Sequence, residues 1–158
     1  MKPIDRKVKT FLSLDRIAVA GITHTQESVA NNIYHRLKNS GHTVFPVNPH
    51  MDTFEGKPCF PDVKTIPHGV EGVVIVTRPE ITEKIVSQCA EAGVHMVWMH
   101  RSLGFMGEGS VSETAVEFCK ENGIEVIAGA CPMMFCEPVD FGHKCFRWIL
   151  RISGKMPD

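Results

Sequence analysis

The sequence predicts an α/β domain built on a mainly parallel five-stranded sheet, and two observations carry that prediction. The first is a pattern that occurs three times. A helical segment ends in a small or polar residue plus glycine, and an apolar run follows at once. The instances are Asn39-Ser40-Gly41 before HTVFPV, Glu91-Ala92-Gly93 before VHMVWMH, and Glu121-Asn122-Gly123 before IEVIAG. Glycine suits the left-handed position just past a helix end, where a Cβ would clash. The second observation is the character of the runs themselves. They are rich in Val and Ile and have the length of strands buried on both faces. Helix, glycine and buried strand in repetition is the rhythm of a parallel sheet covered by helices.

The elements follow in order. Residues 4–12 read as a short amphipathic helix in which Val8, Phe11 and Leu12 cover the sheet. Residues 16–21 form the first strand and 26–40 the first long helix, with Val29, Ile33, Tyr34 and Leu37 as its apolar stripe. Residues 43–47 are the second strand. A Pro-rich connection then holds a short strand near Cys59-Phe60 and a helical turn near 62–66. Strands at 71–76, 94–99 and 124–128 alternate with helices at 80–92 and 110–122. A terminal helix near 142–153 carries Phe146, Ile149, Leu150 and Ile152. No linker divides the chain, so 1–158 reads as a single domain, with an N-terminal helix in 1–13 and a C-terminal helical extension in 137–158.

Composition narrows the function. The 158 residues suffice for one domain with a full core. Apolar residues are 43% and charged residues 22%, with a net charge of −1. That balance leaves no electrostatic footprint for nucleic acid or an anionic membrane. No apolar run approaches the roughly 20 residues of a spanning helix. The apolar stretch after the basic N-terminus is broken at Asp15 and Arg16, so it does not read as a signal peptide. A cytoplasmic location is expected, with the six cysteines reduced.

In an open parallel sheet, ligands bind outside the carboxyl ends of the strands. The residues just after the five strands are Gly21-Ile22-Thr23-His24-Thr25, Asn48-Pro49-His50, Thr77-Arg78-Pro79, His100-Arg101-Ser102 and Gly129-Ala130-Cys131-Pro132. They include two arginines, three histidines and no carboxylate, which suits an anionic ligand. Gly21 lets the first loop turn sharply and approach a ligand. Thr23, Thr25 or Ser28 can cap the following helix, whose free N–H groups and dipole favour phosphate. An ordinary strand-to-helix turn with no ligand is the alternative. A dinucleotide-binding loop normally carries more glycines, and an acidic residue at the end of the second strand to grip the ribose. Here that place reads Pro46-Val47-Asn48-Pro49, which argues against NAD.

The ordered motifs AVAGIT, VFPVNP, GKPCFPDVKTIP, VVIVTRPE and CPMMF resemble the CoA-binding domain, over about residues 12–135. The same fold forms the nucleotide-binding part of the succinyl-CoA synthetase α subunit and of ADP-forming acyl-CoA synthetases. The resemblance implies a Rossmann-like three-layer domain that binds coenzyme A, or an acyl-CoA, across its carboxyl edge. It places Gly21, Ile22, Thr23, His24 and Thr25 around the pyrophosphate. Val47, Asn48 and Pro49 would border the adenosine, with His50 or Lys57 near the 3′-phosphate. Val76, Thr77, Arg78 and Pro79 would line the groove. Met99, His100, Cys131 and Pro132 would face the pantetheine arm. The synthetases carry a phosphohistidine in a second domain for which this chain has no room, so no catalytic residue is carried over.

The stretch CPMMFCEPVDFGHKC holds Cys131, Cys136, His143 and Cys145. Zinc is a conceivable occupant, but the spacing is not that of a common zinc module. The plainer expectation is that Cys136 and Cys145 pack the terminal helix, as Cys89 and Cys119 pack theirs. Cys131 stands where a CoA thiol would lie and can form a mixed disulfide only if its thiolate is stabilised and accessible. Trp98 reads as core. Trp148 and Phe146 read as a docking face for the last helix or as a contact to a second copy or protein partner. The expected activity is thus binding of CoA without catalytic machinery. The alternatives are an NAD(P)-dependent or Cys131-based enzyme, and a regulatory or scaffold subunit with a vestigial nucleotide site.

Overall fold

Residues along the first strand alternate between two cores, and that alternation organises the molecule. A computed structural model describes residues 2–102 and 109–157; Met1 and Asp158, the ends of the expected 1–158 domain, lie outside the described residues. In chain order the strands are β1 (Arg16–Ala20), β2 (Thr43–Val47), the short pair β3 (Thr53–Phe54) and β4 (Lys57–Pro58), β5 (Gly72–Ile75), β6 (Met96–Met99) and β7 (Glu125–Ala128). The helices are α1 (Pro3–Phe11), α2 (Val29–Asn39), α3 (Pro79–Glu91), α4 (Glu113–Glu121) and α5 (Phe141–Ile152). Ile17 and Val19 join Val74, Trp98 and Ile127 in one core, with Phe11 of α1 and Ile33 and Leu37 of α2. Ala18 and Ala20 join Val73, Ile75, Val97 and Met99 in the other, with Val86 of α3 and Cys119 of α4. The period of two along each strand sends neighbouring side chains to opposite faces, which yields three layers.

The sheet is five-stranded, in the order β2-β1-β5-β6-β7, and every pair is parallel. The chain therefore winds outward in both directions from the β1–β5 pair, as in doubly wound folds. The crevice at such a reversal is where ligands bind. The Rossmann-like α/β expectation is met.

Local details depart from the sequence reading in instructive ways. The short strand expected at Cys59-Phe60 is a single parallel bridge between Phe60 and Val47. The extended segment is instead the β3–β4 hairpin, turned by Glu55 and Gly56, both at positive φ. Glutamate is not a turn residue that sequence alone would favour there. Helix α1 covers the sheet as expected. Phe11 meets Trp98 edge to face, with ring centroids 5.4 Å apart. Phe11 also lies over Gly72, where an added Cβ would approach its ring to 2.9 Å. Trp98 is core, and its Nε1 donates to the carbonyls of Gly129 (3.0 Å) and Ala130 (3.3 Å).

Helix α5 docks by Phe146 and Leu150, which pack against the first core. Outside that contact it presents Phe141, Ile149, Ile152 and Trp148 to solvent, Trp148 with 63% of its surface exposed. Phe146 and Trp148 thus have different fates, because residues two apart on a helix do not share a face.

Candidate functional site

The loop from β1 to α2 is organised by a residue inside the helix. Asn31, only 2% exposed, accepts from the Thr23 amide through Oδ1 (3.1 Å). Its Nδ2 donates to the carbonyls of Thr23 and Thr25, both at 2.9 Å. Thr23 Oγ1 accepts from the Thr25 amide (3.1 Å), which closes the turn. Of the three candidate caps, Ser28 is the one used, its Oγ accepting from the Asn31 amide at 3.1 Å. The other amides of the first helical turn lack intrahelical acceptors and point toward the carboxyl edge.

Gly21 has a reason that the sequence did not reveal. It sits at φ +107°, and a Cβ there would lie 2.1 Å from the carbonyl oxygen of Val76. The glycine is demanded by the chain leaving β5, which passes directly beside it. Val76 is therefore a wall of the loop's own support.

The next loops are tied to the first. Asn48 donates through Nδ2 to the Ile22 carbonyl (2.6 Å) and accepts from the His50 amide through Oδ1 (2.7 Å). The Thr77 amide donates to Ser110 Oγ (3.0 Å). Ser110 also accepts at its carbonyl from Thr82 Oγ1 (2.7 Å), so it braces the end of β5 against α3. Arg78 is the N-cap residue of α3 and Pro79 its first helical residue, a position where the missing N–H costs nothing.

These loops enclose a groove of about 480 Å³ over the β2-β1-β5 end of the sheet. Gly21, Ile22 and Thr23 form one side, and Val47, Asn48, Pro49 and His50 another. Thr77 and Arg78 close it with Ile81, Lys84, Ile85 and Gln88 from α3, and among the described residues no carboxylate lines it. Sequence reasoning missed Lys84. Its signal was available: 81, 84, 85 and 88 are the spacings of one helical face. His24 instead enters a separate hollow of about 370 Å³, beside the His35–Glu55 pair at 2.6 Å. Thr25 is used within the loop, and Lys57 lies on the β3–β4 hairpin and does not line the groove.

The β6 and β7 ends are built differently. Met99 is fully buried in the core beneath the edge and offers no surface to a ligand. His100 is buried, with Nε2 3.3 Å from Ser102 Oγ. Burial pushes its imidazole pKa down to about 4, and nearby His143 adds to the shift. Pro132 is buried where it opens a short 3₁₀ turn, Pro132–Met134. Cys131 lines a cavity of about 200 Å³ together with Val29, Ser102, Met133, Met134, His143 and Phe146. Burial pushes the Cys131 thiol up to about 11. His143 Nδ1 lies 2.6 Å from Asp140 Oδ2. The His143 amide, with help from its imidazole, holds the Asp140 carboxyl below its ordinary pKa against the opposing effect of burial. Cys136 Sγ sits 3.1 Å from Ser40 Oγ. Among the described residues, no three His, Cys, Asp or Glu side chains gather to hold a metal ion.

This edge, with its anion-suited groove and single-glycine turn, agrees with what the sequence matches. Residues 15–137 fit the family model of the CoA binding domain. The chain belongs to that family. An ADP-forming acetate–CoA ligase I of Archaeoglobus fulgidus is 29% identical over 119 residues, which are 73% of this chain and 17% of the ligase. The chain thus spans less than a fifth of that relative's length. The protein YneT of Bacillus subtilis is 25% identical over 130 residues, covering 82% of this chain and 91% of YneT. A hypothetical protein from Pyrococcus horikoshii superposes with a TM-score of 0.77 at 27% identity, covering 88% of this chain and 96% of the other. Among the described residues, no helix is long and apolar enough to cross a membrane.

Proposed function

We propose that this domain binds coenzyme A, or an acyl-CoA, in the groove over β2, β1 and β5. The observation that carries the reading is the groove's lining. Arg78, Lys84 and His50 supply cationic or hydrogen-bonding groups, no carboxylate among the described residues opposes them, and Val47, Pro49, Ile81 and Ile85 offer an apolar bed for a base. Charge-assisted bonds from such groups suit phosphates, and the α2 N-terminus adds its amides and dipole. Membership of the CoA-binding family and the likeness to an ADP-forming ligase favour CoA over other adenine nucleotides. NAD is disfavoured because β2 ends at Val47 and runs into Asn48-Pro49, with no acid there to grip a ribose. A thiol enzyme using Cys131 is disfavoured because burial keeps that thiol protonated at neutral pH.

The test is calorimetric titration of the reduced protein with CoA, NAD and NADP. Saturable binding of CoA alone is expected. Arg78→Ala should weaken it by about tenfold, the cost of one charge-assisted contact. Because Arg78 is exposed, the urea midpoint should stay in place. Binding of NAD or NADP in preference to CoA would overturn the reading.

A further inference from the structure

The cavity lined by Cys131 lies on the same carboxyl edge as the groove, two strands further along the sheet from β5. Adjacent strands are about 4.8 Å apart, so about 10 Å separates the ends of β5 and β7. That is a distance the pantetheine arm spans. The two sites differ in chemistry. The cavity's walls are Val29 at the start of α2, Met133 and Met134 after β7, and Phe146 of α5. Among the described residues, neither lysine nor arginine lines it. Its volume of about 200 Å³ is several times the roughly 30 Å³ share of one water. Apolar walls with a few polar groups are the usual make-up of a small-molecule pocket.

We infer that this cavity receives the acyl end of a short-chain, uncharged aliphatic acyl-CoA, so that the domain distinguishes the thioester from free CoA. The inference rests on the CoA reading of the groove. The carbonyl end of the thioester would sit near Ser102 and His143, and the alkyl chain against Met133, Met134 and Phe146. The two methionines are flexible enough to mould to chains of slightly different shape. The nearest cation that acts on Cys131, Arg36, is already engaged with Asp140 at 3.6 Å and with the carbonyls of Cys136 and Pro138, so a free carboxylate at the chain end would lack a ready partner and a dicarboxylic acyl group is disfavoured.

The experiment compares the affinities of CoA, acetyl-CoA, butyryl-CoA, succinyl-CoA and palmitoyl-CoA for the unaltered protein. It repeats the CoA and butyryl-CoA titrations with Val29→Trp, and a series of chain lengths with Phe146→Ala. Each buried methylene strengthens binding by about fourfold at most. Butyryl-CoA is therefore expected to bind about tenfold tighter than CoA, with succinyl-CoA and palmitoyl-CoA gaining nothing. Val29→Trp, which fills the cavity mouth from a position already 41% exposed, should bring the butyryl-CoA to CoA ratio near one. Phe146→Ala, which enlarges the cavity, should move the preference to longer chains. Equal affinity for CoA and butyryl-CoA in the unaltered protein overturns the inference and leaves the groove reading standing. So does an unchanged ratio in both variants. Failure to bind CoA or any of its thioesters overturns both.

Discussion

The two halves of the carboxyl edge are built on opposite principles. The β2-β1-β5 half is a lattice of backbone and amide hydrogen bonds, held by Asn31, Asn48 and Ser110 and open to solvent at Arg78, Lys84 and His50. The β6-β7 half is more closed and more apolar. Met99 and His100 are buried, and Cys131 opens into a cavity walled by Val, Met and Phe. The difference teaches that one sheet edge can present two solvents to one ligand. A polar stretch with fixed donors suits charge, and an apolar stretch with titratable groups held neutral suits a hydrocarbon or a thioester.

The largest expected effect tests how rigidly the polar half is built. Gly21→Ala and Gly129→Ala replace glycines that each follow a strand, at φ +107° and +121°. Both carry the strain of an L residue at positive φ, roughly 1–3 kcal/mol. Only Gly21 adds an overlap with the backbone at Val76; at Gly129 the nearest atom to an added Cβ is 3.7 Å away, on Pro157. Urea unfolding should therefore show Gly21→Ala costing about 4 kcal/mol or more and Gly129→Ala no more than about 3 kcal/mol. Equal losses would mean that the two loops are equally tolerant and would break the contrast.

A smaller effect probes the closed half. Burial holds folded His100 near a pKa of about 4, while an unfolded histidine titrates near 6.5. Between those values the unfolded state binds the extra proton, so stability falls as pH drops through that window and is fully present above it. The loss should approach about 3 kcal/mol by pH 4. His100→Asn should flatten this part of the stability–pH curve. An unchanged curve would show that the β6 end is wetter than its burial implies.

The smallest effect concerns thiol reactivity. With a pKa of about 11, Cys131 holds roughly one thiolate in ten thousand at pH 7. Mass spectrometry after brief maleimide treatment should find Cys145, which is half-buried, labelled at least ten times faster than Cys131. Faster labelling of Cys131 would restore the mixed-disulfide reading that its burial disfavours.

Much of the fold was legible because it depends on local periodicity. The three helix–glycine–strand repeats, the apolar stripe of α2 and the buried runs of β5 and β6 all follow from residues a few positions apart. Terminal helices α1 and α5 mark where that legibility stops. Both are amphipathic by spacing, yet α1 buries Ile4, Val8 and Phe11 whereas α5 buries none of its residues. Helix α5 still packs Phe146 and Leu150 against the first core, but half-covered; how deeply an apolar stripe is covered depends on what the rest of the chain brings opposite it, and local spacing carries no record of that. The Glu55-Gly56 turn escaped for a related reason: the hairpin holds a glutamate at a φ it does not favour on its own.

For the candidate site, which residues follow each strand can be read from the chain alone, because alternation of strand and helix brings every strand's carboxyl end to one side. The chain alone thereby determined the anion-suited character of that edge. How those residues divide was set by packing. It sent His24 to one hollow, Arg78 and His50 to the groove, Met99 into the core and Cys131 to an apolar cavity. It also decided that Gly21 answers to Val76 and that Asn31 shapes the loop. The physical reason is distance along the chain. Gly21 and Val76 are far apart in sequence and meet only because β1 and β5 are paired, so no local pattern could announce the contact.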